Sequence, residues 1–370
     1  MRRFQILFLL CFTALLLTPL AFTTLQPDAA SQVDNRMLAP VPQTFEDWQS
    51  EIETVLKDRL GFREDIILFY RQAMYRLFNI LEHPLFVSGK NGHLYRGDLP
   101  ALDVRQSFYE DADLKRVQYN IEKLYQYLQS KGKAFLFVFM PMKQGVYPEF
   151  VPSYYTKSPK PMLSEILERK LEESGIPHIF LTNTLLQYKT NAPTYNQKYD
   201  PGHFNAIGAF VAHEAISHKL KAFYPDYPLL QWSAFEQSTR MADLSLYFLK
   251  NTKEKVPVLK RISRDFKLEN LTDGILDVVI STKEHAPVKK TLFLICDSFM
   301  FYETIYASDY GALDYYGHAF EKVYLIPIAQ AAHSNNIYAL IDRYQPDIVL
   351  YEAAEARLLD NVHFTWENTP

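Results

Sequence analysis

Two cysteines in 370 residues are too few for a disulfide framework. Cys11 lies in an uncharged N-terminal run and Cys296 ends an apolar stretch, so the first is not expected to pair with the second, and Cys296 reads as a small packing residue. Glycine is also scarce, with 12 residues, and none of them builds the Gly-rich loop that cradles phosphates, so no cofactor is expected. Basic charge is not in excess. A net charge of −4, without a clustered basic and aromatic motif, gives no electrostatic case for nucleic acid and leaves a neutral or polyanionic glycan open. No internal repeat or low-complexity tract occurs. His213 and His218 are five residues apart around Glu214, on different faces of a helix, whereas zinc-binding helices place two histidines four apart; no metal is expected.

What the chain has is apolar bulk. With 48% hydrophobic and 15% aromatic residues it can bury a core of domain size, and most of it is expected to be ordered. Phe4 to Leu25 carries no charge and follows Arg2-Arg3, which predicts a membrane anchor with a cytoplasmic N-terminus and everything downstream exported; a cleaved signal peptide is the alternative for residues 1–25. Residues 26–43, rich in proline and small polar residues, read as a tether to a domain over 44–360, with 361–370 as a tail.

Within that domain, apolar spacings of three and four predict helices over 45–60 and 62–78, broken at Gly61. That pair is expected to pack on the domain, a membrane surface being the alternative. Residues 85–95 read as a hairpin turning at Asn91-Gly92. Helices over 112–130 and 162–174 then alternate with continuous apolar strands over 134–139, 179–181, 291–295, 322–326 and 347–351. Continuous apolar strands between amphipathic helices predict a three-layer, flavodoxin-like α/β fold with a mostly parallel sheet covered on both faces, where ligands bind at the carboxyl ends of the strands. Residues 222–290 have no sustained period and read as an insertion or lid, or as two weakly signalled strands of the main sheet. Glu352 and Glu355 with Arg357 read as a solvated or paired charge cluster.

Two short segments carry candidate chemistry. The strand 291–295 runs through Cys296 into Asp297-Ser298 and a predicted helix, which presents a serine hydroxyl beside the unpaired N–H groups of a helix start. Asp200 and His203 stand in a Pro-Gly turn before an amphipathic helix that Asn205 is suited to cap. A carboxylate fixes the tautomer of an imidazole and stabilises its protonated form, as a serine nucleophile requires. The roles that follow are Ser298 as nucleophile, His203 as base and Asp200 as orienting acid. Each segment also has a purely structural reading, as a helix cap or a turn, so the chemistry depends on the two meeting in space. Lys143, in Pro141-Met-Lys143, is a candidate for substrate contact; Asn205 and Asn335 are candidate oxyanion donors.

The order of these segments resembles the SGNH-type, GDSL-like acyltransferases and esterases, specifically the extracytoplasmic alginate O-acetyltransferase group. Besides Asp200, His203 and Ser298, the resemblance includes Asn35-Arg-Met-Leu-Ala-Pro40, Leu60-Gly-Phe-Arg63, Val87 to Tyr95, Pro141 to Lys143 with Tyr147-Pro-Glu149, and Asp347 to Glu352. The chain departs from the pattern at Cys296, where glycine is usual, and in placing the acid three residues before the histidine. The resemblance implies transfer of acetyl groups to hydroxyls of a cell-surface or secreted polysaccharide through a serine acyl-enzyme. An acetylesterase or a non-catalytic glycan-binding scaffold on the same fold is the alternative. It also implies a multispanning membrane acyltransferase as the partner that brings the acetyl group outside, since acetyl-CoA is cytoplasmic.

Overall fold

The computed structural model describes residues 2–26, 29–31, 36–81, 83, 85–97, 109–155, 159–244, 249, 252–274, 276–301, 303–306, 310–328 and 337–358. The chain divides into two compact units, residues 1–83 with 244–252, and residues 84–243 with 253–370.

The first unit begins with helix α1 (Arg2–Ala21), followed by the short pair β1 (Ala30–Ser31) and β2 (Arg36–Met37) and by helices α2 (Phe45–Arg59) and α3 (Arg63–Phe78). The window Phe4–Ala21 of α1 has a mean hydropathy of 2.2 and none of it is buried, so the helix is long and apolar enough to cross a bilayer. Thr44 caps α2 in a reciprocal box with Asp47. The Arg59 guanidinium at the end of α2 is buried and donates to the carbonyls of Ala39 (2.6 Å) and Gln26 (2.8 Å). Asp58 accepts from Arg36 and from the Ala39 N–H, which lowers its carboxyl to about 2. A buried guanidinium must have its donors satisfied, so the described parts of segment 26–43 are drawn onto α2 instead of hanging free. The break at Gly61 is a corner: Phe62 takes a left-handed φ of 61° before α3 starts.

The second unit opens with the hairpin β3 (Phe86–Ser88) and β4 (Leu94–Arg96), whose turn has positive φ at Asn91 and Gly92. There follow α4 (Asp111–Ser130), β5 (Ala134–Met140), α5 (Leu163–Glu173), β6 (His178–Phe180), α6 (Thr182–Tyr188) and α7 (Ala206–Phe223). Then come β7 (Phe235–Asp243), β8 (Lys253–Arg261), β9 (Lys267–Thr272), β10 (Asp277–Thr282), β11 (Val288–Cys296), α8 (Ser298–Phe301), β12 (Phe320–Pro327), α9 (Ile337–Tyr344) and β13 (Ile348–Ala354). Seven strands form one sheet in the order β6-β5-β13-β11-β12-β10-β9. The first five run parallel, and β10 and β9 add an antiparallel edge beyond β12.

Alternation along each strand divides the core into two layers. Leu136, Val138, Leu292, Leu294 and Leu350 face the layer that holds α7, while Phe135, Phe137, Phe293, Ile295 and Val349 face the layer of α4, α5 and α9. The fold is thus a mixed α/β domain with a large, mostly parallel central sheet. Segment 222–290 holds two different hairpins: β7-β8 pairs only with itself among the described residues, whereas β9-β10 extends the sheet. The edge strand β9 has no buried residue, which is why no apolar period marks it in the sequence.

Helix α7 approaches the preceding loop closely at Gly208. A Cβ there would lie 2.3 Å from the Thr194 carbonyl oxygen and 2.7 Å from the Phe204 Cβ. Replacing an exposed helical glycine with alanine gains about 1 kcal/mol, but here the obstacle is backbone and the overlap outweighs that gain. Gly208→Ala is expected to lower stability by roughly 1–3 kcal/mol, read as the midpoint of denaturant unfolding. An unchanged or raised midpoint contradicts the close approach.

Candidate active site

Ser298 stands where β11 ends and α8 begins, at the carboxyl end of a central parallel strand. The turn is fixed by Asp297, which is 6% exposed. Its Oδ1 accepts from the Phe299 N–H (3.0 Å) and its Oδ2 from the Ala354 N–H on β13 (2.8 Å), while its own N–H donates to Glu352 Oε2 (2.8 Å). Asp297 is therefore a brace for the turn, and this leaves the next side chain, Ser298, half-buried and pointing out. No described residue accepts from the Ser298 backbone N–H.

Glu352 does not belong to a solvated cluster. It is fully buried near the end of β13, and burial together with the neighbouring Asp297 charge holds its carboxyl well above the ordinary range. Glu355 is half-buried, accepts from the Met142 N–H (3.0 Å), and is pushed up to about 8 by burial. The sequence cannot signal either role, because a glutamate near the end of a strand looks the same whether its partner is water or another strand.

Opposite Ser298 lies the loop before α7. Asn205 caps that helix, its side-chain oxygen accepting from Ile207 and Gly208 N–H (both 3.0 Å) and its amide nitrogen donating to the Pro193 carbonyl (2.8 Å). These bonds give it a structural task in fixing the loop. Asp200 adopts φ 47°, a left-handed conformation that aspartate tolerates better than most residues. His203 Nδ1 is 2.8 Å from Asp200 Oδ1, and His203 Nε2 is 2.8 Å from Ser298 Oγ. A carboxylate only accepts, so Nδ1 carries the proton and Nε2 accepts from the serine hydroxyl. The imidazole packs edge-on to Phe299, ring centroids 4.8 Å apart. Its side chain is 13% exposed and that of Asp200 14%, so the group is sheltered yet open to solvent.

Lys143 follows β5 and is fully buried. Its ammonium donates to the carbonyls of Leu94 (2.9 Å) and Gln197 (2.8 Å), tying β4 to the Asp200 loop, and burial lowers it to about 7 against the opposing pull of Glu254 and Asp200. Glu254, at the start of β8, went unnoticed in the sequence. Its two carboxylate oxygens accept from three consecutive backbone N–H groups, Gln197 (2.7 Å), Lys198 (2.8 Å) and Tyr199 (2.6 Å), directly before Asp200. Arg240 on β7 donates to the Tyr199 hydroxyl (3.1 Å). The structure thus brings Ser298, His203 and Asp200 together, places Asn205 and Lys143 beneath the same loop as supports, and leaves Asn335 outside the described residues. His213 lies in the core, bonded to the Tyr316 and Tyr306 hydroxyls at 2.7 and 2.8 Å and stacked on Tyr315; burial lowers it to about 3, so it is a satisfied core histidine.

Residues 86–255 match the family model of the SGNH hydrolase-like domain, acetyltransferase AlgX. That stretch includes Asp200, His203 and Glu254 but stops short of Ser298, which reaches them through the fold. Among solved structures, Bacillus cereus PatB1 superposes with a TM-score of 0.55 at 12% identity, over 75% of this chain and 98% of that one. The same protein with a sulfonyl adduct gives 0.55 at 12%, over 73% and 96%. The O-acetyltransferase domain of Pseudomonas putida AlgJ gives 0.46 at 16%, over 75% and 93%. No curated protein matches the chain in sequence. Residues 86–255 of the second unit are thus similar to an SGNH hydrolase-like domain.

Two changes test how the site is supported. Hydrogen bonds to a charged acceptor contribute about 1.5–3 kcal/mol each, so Glu254→Ala is expected to destabilise by roughly 2 kcal/mol or more and Glu254→Gln by less, measured by denaturant unfolding; equal stability of all three proteins would refute the clamp. Glu355 binds its proton more tightly folded than unfolded, so its contribution is complete below about 4.5 and is lost as pH rises through about 8. Stability of the wild type relative to Glu355→Gln should fall across that window, by at most about 1.4 kcal/mol per pH unit. Parallel stability curves for the two proteins would show that Glu355 titrates normally.

Proposed function

We propose that this SGNH hydrolase-like protein is an O-acetyltransferase that moves acetyl groups to hydroxyls of a cell-surface or secreted polysaccharide through a Ser298 acyl-enzyme. The observation that carries the reading is the unbroken hydrogen-bonded chain from Ser298 Oγ through the His203 ring to Asp200, at the carboxyl end of a parallel sheet. The match to an acetyltransferase family supports acetyl as the group transferred.

In the first step the Ser298 hydroxyl gives its proton to His203 Nε2 while Oγ attacks the carbonyl carbon of an acetyl ester. The Ser298 backbone N–H, at the start of α8, faces the oxygen that becomes negative. Asp200 stabilises the imidazolium, which protonates the leaving alcohol as the tetrahedral intermediate collapses to the acyl-enzyme. A sugar hydroxyl then loses its proton to His203, attacks the acyl carbon, and expels Ser298 Oγ, which takes the proton back. Binding of the sugar hydroxyl ahead of water is what separates transfer from hydrolysis.

Helix α1 supports an extracytoplasmic protein held at the cytoplasmic membrane by its N-terminus. In that location the donor is an acetyl group delivered across the bilayer by a multispanning acyltransferase.

The purified full chain, given an aryl acetate and neutral or anionic oligosaccharides, is expected to yield acetylated sugar. Ser298→Ala and His203→Ala should each lower turnover by about 10³-fold or more with folding intact. Release of acetate alone under all acceptors would make the protein an esterase, and undiminished turnover in either variant would remove the assigned roles.

A further inference from the structure

We infer that α3 lies on the lipid surface beside the exit point of α1, with its apolar stripe in the headgroup and upper acyl region of the outer leaflet. This rests on the reading of α1 as a membrane anchor. None of the described residues of α3 is buried within the structure. Phe62, Ile66, Phe69 and Leu77 recur at helical spacing on one side and are 43%, 58%, 74% and 73% exposed. Exposed Asp65 and Arg76 border the stripe. An uncovered stripe of this size on a helix of sixteen residues needs a partner.

What lies next to the stripe identifies that partner. The Gly61 N–H donates to the Pro19 carbonyl of α1 (3.0 Å), and the Phe22 and Phe62 rings are 4.9 Å apart. The contact tolerates nothing larger than glycine, because a Cβ at Gly61 would come within 2.6 Å of both Phe22 Cβ and the Pro19 oxygen. The end of α1 is therefore locked to the corner Gly61-Phe62 from which α3 starts. Phe4–Ala21 is 18 residues long, about the hydrocarbon thickness at ~1.5 Å per residue, so Pro19 to Phe22 mark the bilayer boundary and α3 starts there. Phenylalanine and tyrosine prefer that depth, and a border of charged residues suits a helix lying in the plane of the surface.

The test uses the full chain with Cys11→Ala, reconstituted in phosphatidylcholine and phosphatidylglycerol vesicles, with a bimane label on Phe69→Cys, Leu77→Cys, Glu53→Cys or Phe8→Cys. Labels at positions 69 and 77 should be quenched at least twofold by lipids carrying a headgroup or shallow acyl nitroxide and shielded from aqueous iodide, while the label at exposed position 53 on α2 should show the reverse. Iodide quenching at 69 and 77 equal to that at 53 overturns the inference. Shielding from iodide without nitroxide quenching also overturns it, and assigns the face to a second copy of the chain. The label at position 8 reports on the anchor separately: nitroxide quenching there but not at 69 and 77 leaves the anchor standing and removes the α3 surface, whereas no quenching at position 8 refutes the anchor itself.

Discussion

The Asp297 carboxylate joins the end of one parallel strand to its neighbour, and the position of Ser298 depends on it. A strand buried on both faces has no room to display a reactive side chain, so the hydroxyl must come just beyond its end, where the backbone would otherwise be loose. Asp297 removes that looseness by accepting from Phe299 within the turn and from Ala354 across on β13, while Glu352 receives the Asp297 N–H. Burial and the neighbouring Asp297 raise the Glu352 carboxyl well above the ordinary range.

The histidine side is built on a different plan. Its loop has no regular secondary structure, and several of its backbone groups are satisfied by side chains from elsewhere: Glu254 from β8 accepts from three N–H groups, Lys143 donates to the Gln197 carbonyl, and the Tyr147 hydroxyl receives the Thr194 N–H. A left-handed Asp200 is tolerable in a loop so heavily constrained. The fold thus fixes one half of the site by strand pairing and the other by charged side chains; the two halves meet at the 2.8 Å His203–Ser298 hydrogen bond, between residues 95 apart in the chain, and where His203 and Phe204 pack on Phe299.

In the first unit the same principle operates with opposite signs. A buried guanidinium, Arg59, collects the Ala39 and Gln26 carbonyls as Glu254 collects N–H groups, and so fastens those two residues to a helix.

The sequence by itself determined the parallel strands, the helices that alternate with them and the two segments that form the candidate site. The continuous apolar runs ending at Phe139, Ile295 and Tyr351 admit few other structures, and a Pro-Gly turn or a strand end keeps Asp200, His203 and Ser298 out of the regular elements whatever the remainder does. Tertiary structure decided what depends on remote partners. The edge strand β9 has no buried residue and so left no apolar period. Glu254, Glu352 and Lys143 took their meaning from backbone groups distant in the chain, and Asn205 had its amide occupied by its own helix start and Pro193. Burial leaves a local imprint on the choice of residues, whereas the satisfaction of a polar group is settled only once the distant chain arrives.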